Sequence, residues 1–362
     1  MASAGLIHLG MDTSMNTIVV GVLRPGEEMP VVERVFHDEE SIRRLIGRFG
    51  DRRMLSVCYE AGPGGYELYR LLSSMGVDCE VVAPSLIPKG SSDRVKTDKR
   101  DAIRLARLHR AGELTAIRVP TPAEEAVRDL VRARADVLDD RKRMQQRLNA
   151  VLLRHGRIWR GGSKWTLAHR AWIAQQVFDE PALNQVVATY RGGLAAREAE
   201  LTAIEAELAQ WAVAPPLAGT VAKLGAYRGI AVLTGMTLAA EVVDWRRFAT
   251  ARAFMGFSGL IPSEYSSGDR NRRGHITKAG PVGVRTALIE AAWAYQHRPR
   301  IGVGLSRRQA GASAETLARS WTAQQRLCAK YKKMTGHGKP PAVAVVAIAR
   351  ELAGFVWAEM TT

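Results

Sequence analysis

Leu6-Ile7-His8-Leu9-Gly10-Met11-Asp12-Thr13-Ser14-Met15-Asn16-Thr17-Ile18-Val19-Val20-Gly21-Val22-Leu23 decides how the first third of this chain folds. Two short apolar runs, Leu6–Gly10 and the valine-rich Thr17–Leu23, flank a polar turn. Runs this short and this β-branched read as strands. Pro25-Gly26 gives the next turn, and Val31–Phe36 alternates weakly as a third strand. The three are expected to form an antiparallel meander, with Asp12 at the C-terminal end of its first strand.

Reading onward, Ile42, Leu45, Ile46 and Phe49 recur at helical spacing within Glu39–Phe49. Met54–Tyr59 is a fourth strand and ends at Glu60. The turn Ala61–Gly65 leads into a helix with Leu68, Leu71, Leu72 and Met75, and Asp78–Val82 is a fifth strand closed by Pro84. The order β-β-β-α-β-α-β is that of ribonuclease-H-like α/β folds. In this topology the first and fourth strands are neighbours, which brings Asp12 and Glu60 to one edge. Carboxylates that close repel unless a cation lies between them, and a hard divalent ion suits oxygen ligands. Asp12 taken alone reads more simply as a strand-end turn residue. Lys96-Thr97-Asp98-Lys99-Arg100-Asp101-Ala102 opens the next helix, and its two aspartates, three apart, share a helix face. Asp98 as N-cap and Asp101 as a dipole partner is the plainer account of that pair. All four acids together match the donor set of a two-metal phosphoryl-transfer site.

The whole chain limits the partner. Its 362 residues suffice for two or three domains. Lys and Arg number 52 against 36 Asp and Glu, a formal charge of +16, with a sequence pI near 10.2. Such a charge points to nucleic acid or an anionic membrane. No apolar run approaches the roughly 20 residues of a bilayer span, and the N-terminus lacks the pattern of a signal peptide. Nucleic acid is therefore the expected partner. Cys58, Cys79 and Cys328 are too scattered for a zinc site or a disulfide framework, the first two reading as packing residues, and a reducing cytoplasm fits them.

After Pro120-Thr121-Pro122, no proline or glycine interrupts Ala123–His155. Leu130, Val137, Met144 and Val151 recur every seven residues, the seam of a long coiled-coil helix. Arg128, Arg132, Arg134, Arg141, Lys142, Arg143 and Arg147 lie along it, either as a solvated face or as a surface that tracks a phosphate backbone. Trp159, Trp165 and Trp172 follow among basic residues, as stacking platforms or as core. Leu194–Trp211 is a second long helix. Ala214-Pro215-Pro216 forms a joint. Beyond it, Gly225–Ala231 between two helices resembles a helix-hairpin-helix turn, Arg246–Phe257 is a helix, and Val284–Tyr295, Leu317–Lys333 and Ala342–Ala358 make the C-terminal region mostly helical.

Between these helices lies Leu260–Gly280, with Ser266, Ser267 and Gly268 among Arg270, Arg272, Arg273 and Lys278. Glycine admits close backbone approach to a ligand, and guanidinium forks suit phosphate. No histidine base stands beside the serine as a Ser-His-Asp system needs. A polar turn with Ser267 as a cap remains the alternative.

Gly10-Met11-Asp12-Thr13-Ser14, Tyr59-Glu60-Ala61-Gly62, Thr97-Asp98-Lys99-Arg100-Asp101-Ala102, Tyr265-Ser266-Ser267-Gly268 and Gly274-His275-Ile276-Thr277-Lys278-Ala279-Gly280 occur in this order. Together they resemble the insertion sequence 110 family of DEDD transposases, the bridge-RNA-guided serine recombinases. The resemblance implies a RuvC-like domain over 1–120 whose Asp12, Glu60, Asp98 and Asp101 bind Mg2+ or Mn2+. It implies a coiled-coil region over 121–215 and a C-terminal transposase domain over 216–362 with Ser267 as nucleophile. It further implies donor and target DNA, a noncoding bridge RNA and a homo-oligomer as partners, with cytoplasmic, nucleoid-associated action. Arg270, Arg272, Arg273, Lys278, Arg141, Lys142 and Arg143 are the candidate nucleic-acid contacts. Two departures stand out: Tyr227-Arg228-Gly229-Ile230 lacks the proline many members have before the glycine, and 156–214 matches nothing specific. A metal-dependent hydrolytic nuclease is the nearest rival reading, and an actin- or sugar-kinase-like ATPase a more distant one.

Overall fold

The alternation of apolar residues in the first strands builds a five-stranded mixed sheet. β1 (Ile7–Thr13), β2 (Thr17–Leu23) and β3 (Val31–Phe36) are antiparallel, while β4 (Leu55–Glu60) and β5 (Asp78–Val82) run parallel to β1. The order is β3-β2-β1-β4-β5. The computed structural model describes residues 5–84, 87–88, 97–264 and 273–362. The chain divides into two units, Met1–Val119 and Pro120–Thr362. The residues read above as a long-helix region and a C-terminal region lie together in the second.

In the first unit, period-two alternation assigns each strand residue a face. Leu9, Met11, Ile18, Val20, Val57 and Tyr59 turn to one side and pack with Ile42, Leu45 and Ile46 of α1 (Glu39–Gly47) and Leu68 and Leu72 of α2 (Glu67–Ser74). The opposite face takes one helix, α3 (Asp98–Ala111). Here the sheet carries glycine: Gly10 of β1 and Gly21 of β2 are cross-strand partners. A Cβ on Gly10 would lie 2.6 Å from the Ala102 carbonyl oxygen, and one on Gly21 would lie 2.7 Å from the same atom. The missing side chains let α3 lie directly on the strand backbones. β1 extends through Asp12, further than its apolar run suggests, because Asp12 still pairs with Val19 of β2.

The second unit begins with two long helices. Thr121 and Glu124 form a capping box at the start of α4 (Pro122–Arg154), with Pro122 in its first turn. α6 (Pro181–Trp211) returns beside it, burying Val187, Leu194, Leu201 and Leu208 at intervals of seven. It starts well before Leu194 because Gly192 and Gly193 are carried within the helix. A Cβ on Gly193 would lie 3.1 Å from the Met144 sulfur of α4, so the glycine is where the two helices approach. α5 (Leu167–Ala174) closes the far end over Leu148, Val151, Leu152, Phe178 and Val187.

The near ends of α4 and α6 join a core built by α7 (Ala218–Gly225), α8 (Val232–Val242), α9 (Ala251–Phe257), α10 (Val282–Ala292), α12 (Ala314–Gly336) and α13 (Pro341–Thr361), while α11 (Val303–Gln309) is tied to the end of α7 by hydrogen bonds from Arg308 and Gln309. α9 is shorter than Arg246–Phe257. The Arg246 N–H donates to the Asp244 carboxylate in a turn, and Thr250 caps the helix at Ala253. Among the described residues α13 is the one helix long and apolar enough to cross a membrane by composition, although Arg350 and Glu351 interrupt its apolar run. Here it packs against α9, α10 and α12. It also buries Glu359, which accepts hydrogen bonds from Thr316 Oγ1 (2.6 Å) and Tyr227 OH (3.0 Å) and pairs with Arg319.

Candidate active site

Strand parity and the direction of α3 place the four acids. His8 of β1 meets His109 near the end of α3, ring centroids 5.2 Å apart. Gly10 lies under Ala102 and Ala106. The helix therefore runs opposite to β1, and its first turn points toward the strand end that carries Asp12. Glu60 has the parity of Cys58, whose thiol approaches the Leu105 carbonyl of α3 at 3.7 Å, so Glu60 belongs to the same face. β1 and β4 pair in parallel as far as Met11 opposite Tyr59, and Asp12 and Glu60 are the next residues along the two strands. All four positions thus share one face and one edge of the sheet.

Their side chains differ in environment. Thr97 is the N-cap of α3, accepting from the Arg100 N–H at 3.3 Å, so Asp98 is not the cap. Asp98 is exposed and lies 3.8 Å from Arg34 of β3. Asp101 is buried, with one oxygen 3.6 Å from Arg104 and the other, Oδ2, enclosed without a hydrogen-bond partner. Among the described residues no three His, Cys, Asp or Glu side chains are grouped closely enough to hold a metal ion. Mutual repulsion keeps uncompensated carboxylates apart, and Arg34 and Arg104 provide nearer partners. The residue types nonetheless suit a hard cation: four carboxylate-bearing positions lie toward one sheet edge, though their side chains are not gathered there, and one buried oxygen lacks a partner. The cysteines have no such role. Burial pushes the Cys79 thiol up to about 12 and the Cys58 thiol higher still, so both stay protonated packing groups.

The serine stretch is carried on a hairpin of the second unit. β6 (Pro262–Glu264) and β7 (Arg273–Ile276) pair antiparallel with a register irregularity. Ser266, Ser267, Gly268, Arg270 and Arg272 fall between them, outside the described residues. Arg273 begins β7, and Lys278 is exposed just beyond it at φ +55. Below the hairpin, Gly259 and Gly280 have φ of +66 and +71. A Cβ on Gly259 would lie 2.7 Å from the Ala279 nitrogen, and one on Gly280 would lie 3.0 Å from the Phe257 carbonyl carbon. Arg285 of α10 ties the crossing together, donating from Nη1 to Lys278 O (3.1 Å) and Ala279 O (3.2 Å). The hairpin base is thus fixed on α9 and α10.

Comparison with known proteins bears on both halves. The DEDD model of insertion sequence 110 proteins, described as "Transposase", matches residues 9–156. A second, "Transposase IS116/IS110/IS902 family", matches 222–303. The putative transposase y4qE of Sinorhizobium fredii is 42% identical over 353 residues, 97% of this chain and 87% of its own length. This chain belongs to the IS110 family of transposases. The transposase for insertion sequence element IS1533 of Leptospira borgpetersenii is 32% identical over 335 residues, covering 91% of this IS110 chain and 96% of its own.

The basic helix of this transposase splits into two classes. Arg128 Nε donates to the Ala240 carbonyl at 3.1 Å. Arg132 forks onto the buried Glu241 at 2.9 and 3.1 Å, and Arg134 binds Glu205 at 2.6 and 2.8 Å. These three, for which the sequence leaves a solvated face and a phosphate-tracking surface open, bond instead to groups of α8 and α6. Lys142 and Arg143 instead pair with Asp139 and Asp140 one turn away, at 3.0 and 2.9 Å, on exposed helix surface. Such pairs are weak and exchange readily for phosphate. Arg141 is half-buried, its Nε without a partner.

The helix, glycine turn and helix read at Gly225–Ala231 are present as α7, a turn with Gly229 at φ +85, and α8. Tyr227 and Ile230 are fully buried. A Cβ on Gly229 would lie 2.8 Å from the Ala291 carbonyl carbon of α10, and the Ala226 carbonyl accepts from Ser320 Oγ at 2.7 Å. The turn packs inward. Sequence reading missed Arg285, Gly259 and the Gly10/Gly21 pair as supports of the candidate sites. The glycines carried a signal, since a lone glycine inside a strand pattern marks close backbone approach. Arg285 carried none.

Proposed function

We propose that this IS110-family transposase cuts and rejoins DNA through Ser267, with Asp12, Glu60, Asp98 and Asp101 of a RuvC-like first unit as ligands for Mg2+ or Mn2+. The reading is supported by the strand pairing and helix direction that set these four positions toward one sheet edge, with the buried Asp101 Oδ2 unpartnered. When bound there, a divalent ion supplies Lewis acidity, favouring loss of a hydroxyl proton and neutralising phosphate charge. Asp98 and Asp101 are held by the first turn of α3, and Asp12 and Glu60 by adjacent strands, so rigid elements fix all four. Gly268 removes side-chain bulk beside Ser267. Arg270, Arg272, Arg273 and Lys278 are the groups to neutralise charge on the reacting phosphate.

The chemistry is a double transfer. Ser267 Oγ gives up its proton and forms a bond to phosphorus. The bond to the leaving sugar oxygen breaks, and that oxygen takes a proton. The serine ester preserves the phosphodiester energy, so a hydroxyl of a second strand displaces Oγ without ATP. In this reading the chain acts as a homo-oligomer on donor and target DNA, and base choice belongs to a noncoding bridge RNA pairing with them. The long helices, 121–215, and the serine-bearing region, 216–362, are then functional parts distinct from 1–120.

The deciding experiment stops the reaction with denaturant and looks for DNA joined to protein. Wild type and Ser266→Ala should give the adduct, whereas Ser267→Ala should lose both the adduct and strand exchange. Asp12→Ala should lose cleavage but retain nucleic-acid binding. Cutting without any adduct would indicate hydrolysis by water at the same acids. Cutting and rejoining by Ser267→Ala would place the nucleophile elsewhere.

A further inference from the structure

The far end of the α4/α6 hairpin carries groups that this reading leaves without a role. Between Asp140 and Asp179 the sequence has nine Lys or Arg and no Asp or Glu. Arg154, Arg157, Arg160 and Lys164 of this stretch are exposed, and none is in an ion pair among the described residues. In their midst is a cavity of about 160 Å3 lined by Leu152, Arg157, Trp159, Lys164, His169 and Trp172.

Several features show that its walls are built. The Trp159 indole lies against the Gly161 backbone, where a Cβ would come within 2.8 Å of the ring atom Cε2, and its Nε1 donates to the Gly162 carbonyl at 3.2 Å. Trp172 faces it across 5.6 Å between centroids and stacks on His169 at an interplanar angle of 14°. Trp165 is held at φ +66, an uncommon conformation for a bulky residue. There its N–H donates to His169 Nδ1 at 2.8 Å. That bond leaves the imidazole proton on Nε2. His169 is 1% exposed and its Nε2 has no partner. Burial first, then Lys164 and Arg170, hold the imidazole below its usual range, so it is a neutral donor at neutral pH. A buried donor left unpaired is unfavourable unless something entering the cavity meets it.

We propose that this cavity receives one unpaired nucleobase of a single-stranded nucleic acid. Trp159 and Trp172 supply aromatic surface, His169 Nε2 a hydrogen bond to a ring nitrogen or carbonyl, and Arg157 and Lys164 the flanking phosphate contacts. Aromatic walls inside a cationic rim are the chemistry of single-strand binding, because every base has a π-face and every linkage a charge. An acidic peptide would use the rim and leave the indoles without a function. A base paired in a duplex cannot enter.

The test uses the full chain and two probes, a single-stranded thymidine oligodeoxynucleotide and the matching uridine oligoribonucleotide. Each is made with its bases and with one internal abasic position, which keeps the charge and removes the stack. Wild type should bind the complete strand roughly tenfold or more tighter than the abasic one. Trp159→Ala should bind both forms alike, near the wild-type affinity for the abasic strand. Because Trp159 also packs on Gly161, Lys164→Ala, at an exposed residue of the cavity rim, is the second variant. It should weaken complete and abasic strands equally and reduce the salt dependence. Whichever strand shows the larger ratio is the source of the base. Photocrosslinking of 5-bromouracil at the same position should label the peptide spanning Arg157–Trp172. An unchanged ratio in Trp159→Ala, or labelling only elsewhere, overturns the proposal. So does full binding in Lys164→Ala.

Discussion

His8 and His109 face each other beneath α3 with little to bond to. Both nitrogens of His8 and Nδ1 of His109 are buried without partners, and His109 Nε2 lies 3.5 Å from Glu80. Burial lowers both imidazoles below their usual range. His109 and Arg110 depress His8 further, while Asp78 partly opposes the shift at His109. In the unfolded chain each titrates near its ordinary value, about 6.5. Between that value and the depressed folded one, the unfolded state binds more protons, so acid favours unfolding. Stability should be complete above about pH 6.5 and fall as pH drops through the window below it. Thermal unfolding at about pH 7.5 and 5.5 checks this, with His109→Gln expected to show a smaller drop than wild type. An identical drop in the variant would mean other groups carry the pH dependence. Nothing in the sequence pairs these histidines. They are 101 positions apart, and only the packing of α3 across β1 brings them together.

The seating of α3 is where local sequence and candidate chemistry meet. Asp98 and Asp101 reach the edge that holds Asp12 and Glu60 only because the helix backbone rests on Gly10 and Gly21. A methyl at either glycine would collide with main-chain atoms of α3, which cannot rotate aside. Gly10→Ala or Gly21→Ala should lift the helix and lower stability by about 1–3 kcal/mol, and strand cleavage should fall more steeply than nucleic-acid binding. Unfolding curves and cleavage assays on the same preparations check this. Wild-type cleavage in Gly10→Ala would mean that the seating of α3 does not matter to the site. Other elements show what the sequence reveals and what it conceals. The strands of the first unit were legible because alternation and turns at Pro25-Gly26 and Ala61–Gly65 are local signals. The sequence places the start of the second long helix at Leu194, whereas α6 begins at Pro181: glycine disfavours a helix interior, and packing of Gly193 on Met144 overrides that propensity. α9 was overextended because the Asp244 turn and Thr250 cap lie within an otherwise helical-looking run. Strand ends and the i, i+3 spacing bring the four acids into view from sequence, but the cations beside two of them, Arg34 and Arg104, depend on side-chain geometry that no spacing reveals.

At the scale of the whole chain, a charge of +16 says that phosphate is a partner but not which cations meet it. The long basic helix answers for part of the charge. Arg132 neutralises Glu241, whose side chain is 6% exposed, so its removal leaves a buried carboxylate unpaired. Lys142 and Arg143 have only neighbouring exposed aspartates, which phosphate can replace. The two classes should separate in one measurement, the dependence of binding on salt. Each phosphate contact contributes about 0.9 to the slope of log affinity against log salt on duplex DNA. Lys142→Ala and Arg143→Ala should each lower the slope by roughly that amount and leave the unfolding midpoint unchanged. Arg132→Ala should leave the slope alone and lower stability by on the order of 1 kcal/mol, since the arginine side of the pair is exposed to solvent. With on the order of 6–10 contacts, wild-type affinity should fall roughly 10³–10⁵-fold between about 50 and 200 mM salt. A flat wild-type response would mean the excess charge serves something other than nucleic acid. A lower slope with unchanged stability in Arg132→Ala would put that arginine on the binding surface and break the division between core and contact cations.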